Sequence, residues 1–194
     1  MQKDERRISS DLRRVFRGFA STVSIVSVRG EDGNRGMTAT AVSSVSMDPP
    51  SLLVVVNRSS GMYRTMLECK YFCINILGKE QIEHSHVFGG AAPMDERFEW
   101  GDWRLSSHDV PYLCEAQANI FCEKAHILDV GTHTIFVGTA YQMAIGDATS
   151  PLIYLNGAYY GVEHVSARPL GAALKGSLAP VNDTTRKDHH GRRL

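Results

Sequence analysis

Apolar and polar positions follow two different periods along this chain. From Ser10 to Phe19 the apolar residues Leu12, Val15, Phe16 and Phe19 recur at i, i+3, i+4 and i+7. That spacing is one face of a helix, and Ser9, Ser10 or Asp11 could cap its start. The period then changes. Thr22 to Val28 is rich in β-branched and short polar residues and predicts a strand. Gly30 to Gly36 carries Asp-Gly and two further glycines, which predicts a turn. The uncharged segment Met37 to Met47 follows and ends at Pro49-Pro50. Ser51 to Asn57 is a near-continuous apolar run of strand length, predicting burial on both faces.

Further along, Met62 to Glu68 suits a short helix, Tyr71 to Leu77 a strand and Lys79 to Phe88 a second surface helix. Gly89 to Asp109 is irregular. Ala116 to Asp129 and Thr132 to Ile145 are two long strand candidates joined by Asp129-Val130-Gly131, the pattern of a hairpin. Pro151 to Gly161 reads as the last strand. From about Leu170 onward neither period is evident, and the polar end suits a flexible or partner-dependent tail. The division expected is a domain over 1–168 and a tail over 169–194. At least six strands, few helices and no βαβ alternation give a mainly β class, a closed or partly open antiparallel barrel.

Composition adds boundaries to that picture. The chain has 194 residues, enough to bury one core, and its 21 basic and 21 acidic side chains cancel. A general nucleic-acid binder normally carries a basic excess, so no nucleic-acid partner is expected. The charged N-terminal run has no apolar segment behind it, as a signal peptide requires, and no stretch approaches a membrane span. A cytoplasmic protein with no membrane partner is expected. Cys69, Cys73, Cys114 and Cys122 form no C-x-x-C pair and have apolar neighbours, so they read as small core residues. No metal site is expected.

Three segments could carry chemistry. Thr38, Thr40, Ser43, Ser44 and Ser46 line up hydroxyls, while Ala39 and Ala41 are small enough for a ligand to approach the backbone. Composition alone favours an ordinary Ser/Thr-rich strand over a ligand segment here. Asn57-Arg58-Ser59-Ser60-Gly61 lies between a strand and a helix start, a natural anion site or equally a plain capped loop. His133 opens a strand after Gly131-Thr132, and its imidazole could position a nicotinamide amide; alone, a hydrogen-bonded hairpin histidine accounts for it better. His84 and His86 lie two apart and do not share a helix face. G-x-G-x-x-G after a strand, Walker A, H-E-x-x-H and G-x-S-x-G are all missing.

The order of these pieces is more specific than any of them. The run Phe16-Arg17-Gly18-Phe19-Ala20, then Gly36-Met37-Thr38-Ala39-Thr40, Ser44 to Pro50, Phe72 to Leu77, Arg97-Phe98, Gly131-Thr132-His133 and Pro151 to Tyr154 resembles the flavin reductases that supply reduced flavin to monooxygenases. The resemblance spans roughly residues 12 to 165. It implies a split β-barrel with Greek-key connections, of the FMN-binding type, working as a homodimer. It implies FMN or FAD, with NADH or NADPH as hydride donor and a separate oxygenase component as partner. Thr38, Ala39 and Thr40 would lie along the flavin, with Ser44, Val45 and Ser46 offering it backbone and hydroxyl groups. Asn57, Ser59 and Ser60 would hold its ribityl or phosphate part. His133 would be the catalytic residue on the nicotinamide side, and Arg97 and Phe98 would complete the pocket. The family's turn is commonly Gly-Asp-His, whereas Thr132 stands here where the acid would be. Two rival jobs fit the same fold: a non-catalytic flavin- or haem-binding protein, and a flavoenzyme holding FMN tightly to act on a small substrate itself.

Overall fold

A computed structural model describes residues 2–163. Its first element, α1 (Gln2–Arg17), begins a full two turns before the expected start. Ser9, Ser10 and Asp11 therefore sit inside the helix. The first two turns hold one apolar residue, Ile8, which is too few for a helical period to show. Asp4 and Glu5 in the first turn and Arg14 and Arg17 in the last complement the helix dipole instead. The expected tail over 169–194 lies outside the described residues.

Eleven of the twelve strands follow within a β-rich body after β1 (Ser21–Thr22). They are β2 (Ser24–Gly30), β3 (Gly33–Ala39), β4 (Val42–Met47), β5 (Pro50–Asn57), β6 (Tyr71–Ile76), β7 (Trp103–Leu105), β8 (Pro111–Leu113), β9 (Ala118–Val130), β10 (His133–Ile145), β11 (Ile153–Leu155) and β12 (Ala158–Tyr160). Between them lie the short helices α2 (Tyr63–Glu68) and α3 (Ile82–His86). The class is mainly β, as expected.

Seven strands form one antiparallel sheet in the order β3-β2-β6-β9-β10-β5-β4. Its two edge strands, β3 and β4, are consecutive in sequence, and only Thr40 and Ala41 join them. Three peptide steps span at most roughly 11 Å. The sheet must therefore roll up until its edges meet, with a seam between β3 and β4 that lacks a hydrogen-bonded ladder. Side chains from all these strands point inward to one core: Val26 and Val28 of β2, Leu52, Val54 and Val56 of β5, Phe72 and Ile74 of β6, and Phe136 of β10. Met62 and Met66 complete it from the α2 side.

The strand β5 departs from expectation. Leu52, Val54 and Val56 are buried, but Leu53 and Val55 between them are only half-buried. Among the described residues no layer covers its outer face. The strand buried on both faces is β2. Val26 faces the barrel interior, whereas Val23 and Ile25 join an outer core with Leu77, Phe88, Leu113 and Leu152. The expected final strand is also two: β11 and β12 turn back at Asn156 and Gly157, both at positive φ (51° and 86°). An Asn-Gly pair is the preferred sequence for such a two-residue hairpin turn.

A buried polar network ties the outer layer to the barrel. The Asn75 amide nitrogen donates to the Ile25 carbonyl at 2.8 Å and to Ser27 Oγ at 2.9 Å. Its carbonyl accepts from the Leu113 N–H at 2.8 Å and from Asn119 Nδ2 at 2.9 Å. Every capacity of this buried amide is met, so it fixes β8 against β2 without leaving an unpaired polar atom.

Candidate functional site

Strand alternation decides which hydroxyls face outward. On β3, Met37 packs toward the barrel core and Ala39 is buried within it, so Thr38 between them points to the opposite side. Thr38 Oγ1 donates to the Ser85 carbonyl on α3 at 2.7 Å. The Ser85 hydroxyl in turn lies 2.9 Å from the Tyr159 hydroxyl on β12. The next residue, His86, meets the Tyr159 ring edge-on at 5.2 Å. A cleft of about 500 Å³ opens here, lined by Thr38, Thr40, His86, Gly89, Tyr154 and Tyr159 among others.

The far wall of this cleft is the single π-helical turn Val87–Ala91. Gly90 within it has φ 118°, which an L side chain rarely adopts. Arg97 holds the turn in place. Its guanidinium donates to the carbonyls of Ala92, Gly36 and Phe88 at 3.1, 3.0 and 3.2 Å. Burial lowers the Arg97 pKa from its ordinary value. Phe98 stacks edge-on against Phe88 and Trp103 at 5.2 and 4.7 Å. Arg97 and Phe98 thus support the cleft wall from behind, and neither lines the cleft.

Ser44 and Ser46 lie elsewhere. They line a second cleft of about 330 Å³ at one end of the barrel, with Val42, Leu52, Ile120 and Ala140. The strand bulges between Ser44 and Ser46, and the bulged Val45 is turned out, 53% exposed. Ser46 Oγ also accepts the Asp48 N–H at 3.0 Å.

The third group gathers where β5 and β10 end. The register places His133 directly opposite Asn57. Asn57 Oδ1 accepts from the backbone and the hydroxyl of Ser59, both at 2.9 Å. The Arg58 N–H donates to the Thr132 carbonyl, and its guanidinium donates to Gly131. Thr132 Oγ1 lies 2.9 Å from His133 Nδ1. The hydroxyl at this turn therefore reaches the imidazole. Ser60 Oγ is buried with no hydrogen-bond partner among the described residues.

Two of the three sequence segments, Asn57–Ser60 and His133, are thus brought together. Thr38 and Thr40 line the outer cleft, and Ser44 and Ser46 line the separate cleft at the barrel end. His86, Tyr154 and Tyr159 belong to the outer cleft and were not singled out by spacing. His86 lies on a helix only five residues long, where no periodic signal can develop. The Asn-Gly turn that places Tyr154 and Tyr159 side by side was the one available cue.

The family model of the flavin reductase like domain matches residues 16–163. The reductase component of the FADH(2)-dependent resorcinol hydroxylase from Rhizobium sp. (strain MTP-10005) is 36% identical over 154 residues, covering 78% of this chain and 86% of that protein. The FMN reductase (NADH) RutF of Variovorax paradoxus (strain S110) is 35% identical over 153 residues, covering 79% and 85%. Among solved structures, the NADH:FAD oxidoreductase SgcE6 of Streptomyces globisporus C-1027 superposes with a TM-score of 0.75 at 27% identity, covering 83% of this chain and 91% of that one. The chain belongs to the flavin reductase-like family.

Proposed function

We propose that this chain is an NAD(P)H-dependent flavin reductase that passes reduced FMN or FAD to a separate oxygenase component. The observation that carries the reading is the family match across residues 16–163, joined to an outer cleft walled by hydroxyls and aromatic rings. When bound, the flavin supplies the electron chemistry, accepting a hydride from the reduced nicotinamide.

The residues present fit a flavin. The buried Ser60 Oγ lacks a partner, and a buried hydroxyl left unpaired is costly unless a ligand satisfies it. Asn57, Ser59 and Ser60 would hold the ribityl or phosphate part. Thr38 and Thr40 would lie beside the ring, with Ala39 keeping the barrel side closed. Ser44, Val45 and Ser46 would offer backbone and hydroxyl groups. Arg97 and Phe98 act through the Val87–Ala91 turn, which they brace.

His133 is the residue assigned to the nicotinamide. In the tautomer where the Thr132 hydroxyl donates to Nδ1, the ring proton sits on Nε2 and can donate to a carboxamide oxygen. No nucleophile is required of the protein. It binds, orients two rings and excludes side reactions.

A homodimer would bring the separated segments together. Met47, Val45, Met143 and Ile145 on β4 and β10, and Leu128 and Val130 on β9, are all more than half exposed. With the half-covered outer face of β5, they are apolar positions against which a second copy of the chain would pack. No helix among the described residues is long and apolar enough to cross a membrane. We assign the enzyme to the cytoplasm, where the nicotinamide donor is available.

The test is consumption of NADH or NADPH by purified protein with and without added FMN or FAD. Oxidation that depends on added flavin supports the reductase. Flavin binding without turnover would make the protein a carrier, and stoichiometric flavin surviving gel filtration would favour an enzyme with resident FMN. Sedimentation at micromolar concentration checks the dimer.

A further inference from the structure

The outer cleft does not end at Thr40. A neighbouring cleft of about 410 Å³ shares Thr40, Tyr154 and Gly157 with it, so the two form one continuous trough. The added part runs between α1 and the β11–β12 hairpin. From α1 it takes Arg13, Phe16 and Arg17, followed by Phe19. The Asn156 N–H donates to the Arg17 carbonyl at 2.9 Å, which fixes the helix end to the hairpin turn.

The chemistry of this trough is one-sided. Among the described residues no carboxylate lines either part. Arg13 and Arg17 are four residues apart and so lie side by side on the helix. Among the described residues neither forms an ion pair, whereas their neighbour Arg14 faces Asp11 at 4.0 Å. Flat apolar surface lies beside these cations. Phe16 and Phe19 meet edge-on at 5.0 Å, Tyr154 and Tyr159 at 5.3 Å, and the two phenylalanines remain more than half exposed. Paired guanidinium groups suit a polyanion, and open aromatic faces suit a planar base.

We propose that the trough between α1 and the β11–β12 hairpin binds the adenosine diphosphate half of a dinucleotide. Arg13 and Arg17 take the diphosphate of the nicotinamide donor or the adenosine-side phosphate of FAD, and the purine lies on the exposed rings. This deepens the reductase reading and rests on it for the identity of the ligand. The same half occurs in the nicotinamide donor and in FAD, but not in FMN.

The test compares the wild type with an Arg13→Gln/Arg17→Gln variant. Both positions are exposed on a helix, where glutamine is well tolerated. Steady-state KM is measured for NADH with FMN, for FAD, for FMN, and for reduced nicotinamide mononucleotide, which lacks the adenosine half. The expected result is a rise of about tenfold in KM for NADH or FAD, the scale of one lost charge-assisted contact. FMN and the mononucleotide donor should be unchanged. A shift confined to NADH assigns the trough to the donor, and one confined to FAD assigns it to the flavin. Unchanged KM values for both dinucleotides would overturn the proposal, as would an equal rise for FMN or a variant that sediments as a dissociated species. Calorimetric titration with ADP gives a readout free of turnover. Binding to the wild type that weakens in the variant supports the trough even if flavin reduction fails; no binding to the wild type overturns it.

Discussion

Gly36 is the position where the barrel and the cleft wall touch most closely, and Gly36→Ala should damage both. A Cβ built there would lie 2.7 Å from Phe88 Cε1, 2.9 Å from Phe88 Cδ1 and 3.2 Å from Phe98 Cζ. Phe88 is 1% exposed and packs against Phe98 and Trp103, so it cannot retreat into solvent. The Gly36 carbonyl is also held by Arg97, so the strand cannot easily move the other way. Overpacking of a filled site costs about 1–3 kcal/mol. For a domain of this size that lowers Tm by roughly 3–10 °C. The displaced Phe88 belongs to the turn that lines the outer cleft, so KM for flavin or nicotinamide should rise as well. Thermal unfolding and steady-state kinetics read the two effects separately. A Phe88→Leu change should return part of the lost stability in the Gly36→Ala background and none in the wild type, because it removes the clashing ring edge. Equal Tm for Gly36→Ala and the wild type would refute the argument, since no other route for relieving a 2.7 Å contact exists in this packing.

Other substitutions separate packing from binding. Thr38→Val removes the 2.7 Å bond to the Ser85 carbonyl while keeping the shape; it should cost about 1 kcal/mol in urea unfolding and raise KM, whereas Thr38→Ser keeps both near the wild type. Asn75→Leu leaves the Leu113 N–H and one of the two Asn119 amide N–H groups without their acceptor inside the body and should cost about 3 kcal/mol, with kcat of the folded fraction unchanged. His133→Ala, at an exposed position, should leave Tm unchanged and lower kcat/KM for the nicotinamide donor by about tenfold or more. Burial pushes the thiols of Cys69 and Cys122 up from 9.0 to about 11 and about 12. The unfolded chain then releases these protons first as pH rises, so stability should be level below pH 9.0 and fall above it; urea midpoints at three alkaline pH values check this, and Cys69→Ala should flatten the slope.

How much of this was legible beforehand depended on whether a residue's role is set by its own strand or by a distant one. The hairpin of β9 and β10 was readable because two long β-rich runs flank a short turn, and the structure pairs His133 with Val130 across it. The outer exposure of Leu53 and Val55 was not readable, because an apolar run looks alike whether its second face meets a helix layer or an open surface. The site divides in the same way. The hydroxyl run 38–46 is continuous in sequence, but alternation turns Thr38 outward and Ala39 inward, and a bulge then reverses the pattern at Val45. Spacing alone cannot say where a bulge will fall. His86 escaped notice for a further reason: its position depends on the Thr38–Ser85 bond across 47 residues and on a hairpin more than 65 residues downstream. The glycine at 36 was part of a recognisable motif, but its reason is steric and tertiary, the approach of Phe88. The segments that mark the family are therefore of two kinds. Thr38 and Thr40 present groups to the cleft, while Gly36, Arg97 and Phe98 build the wall that makes the cleft a fixed shape. A motif match cannot distinguish these kinds, but kinetics can. Changes to the first kind should move KM with at most the small stability loss expected for Thr38→Val, and changes to the second should move both together.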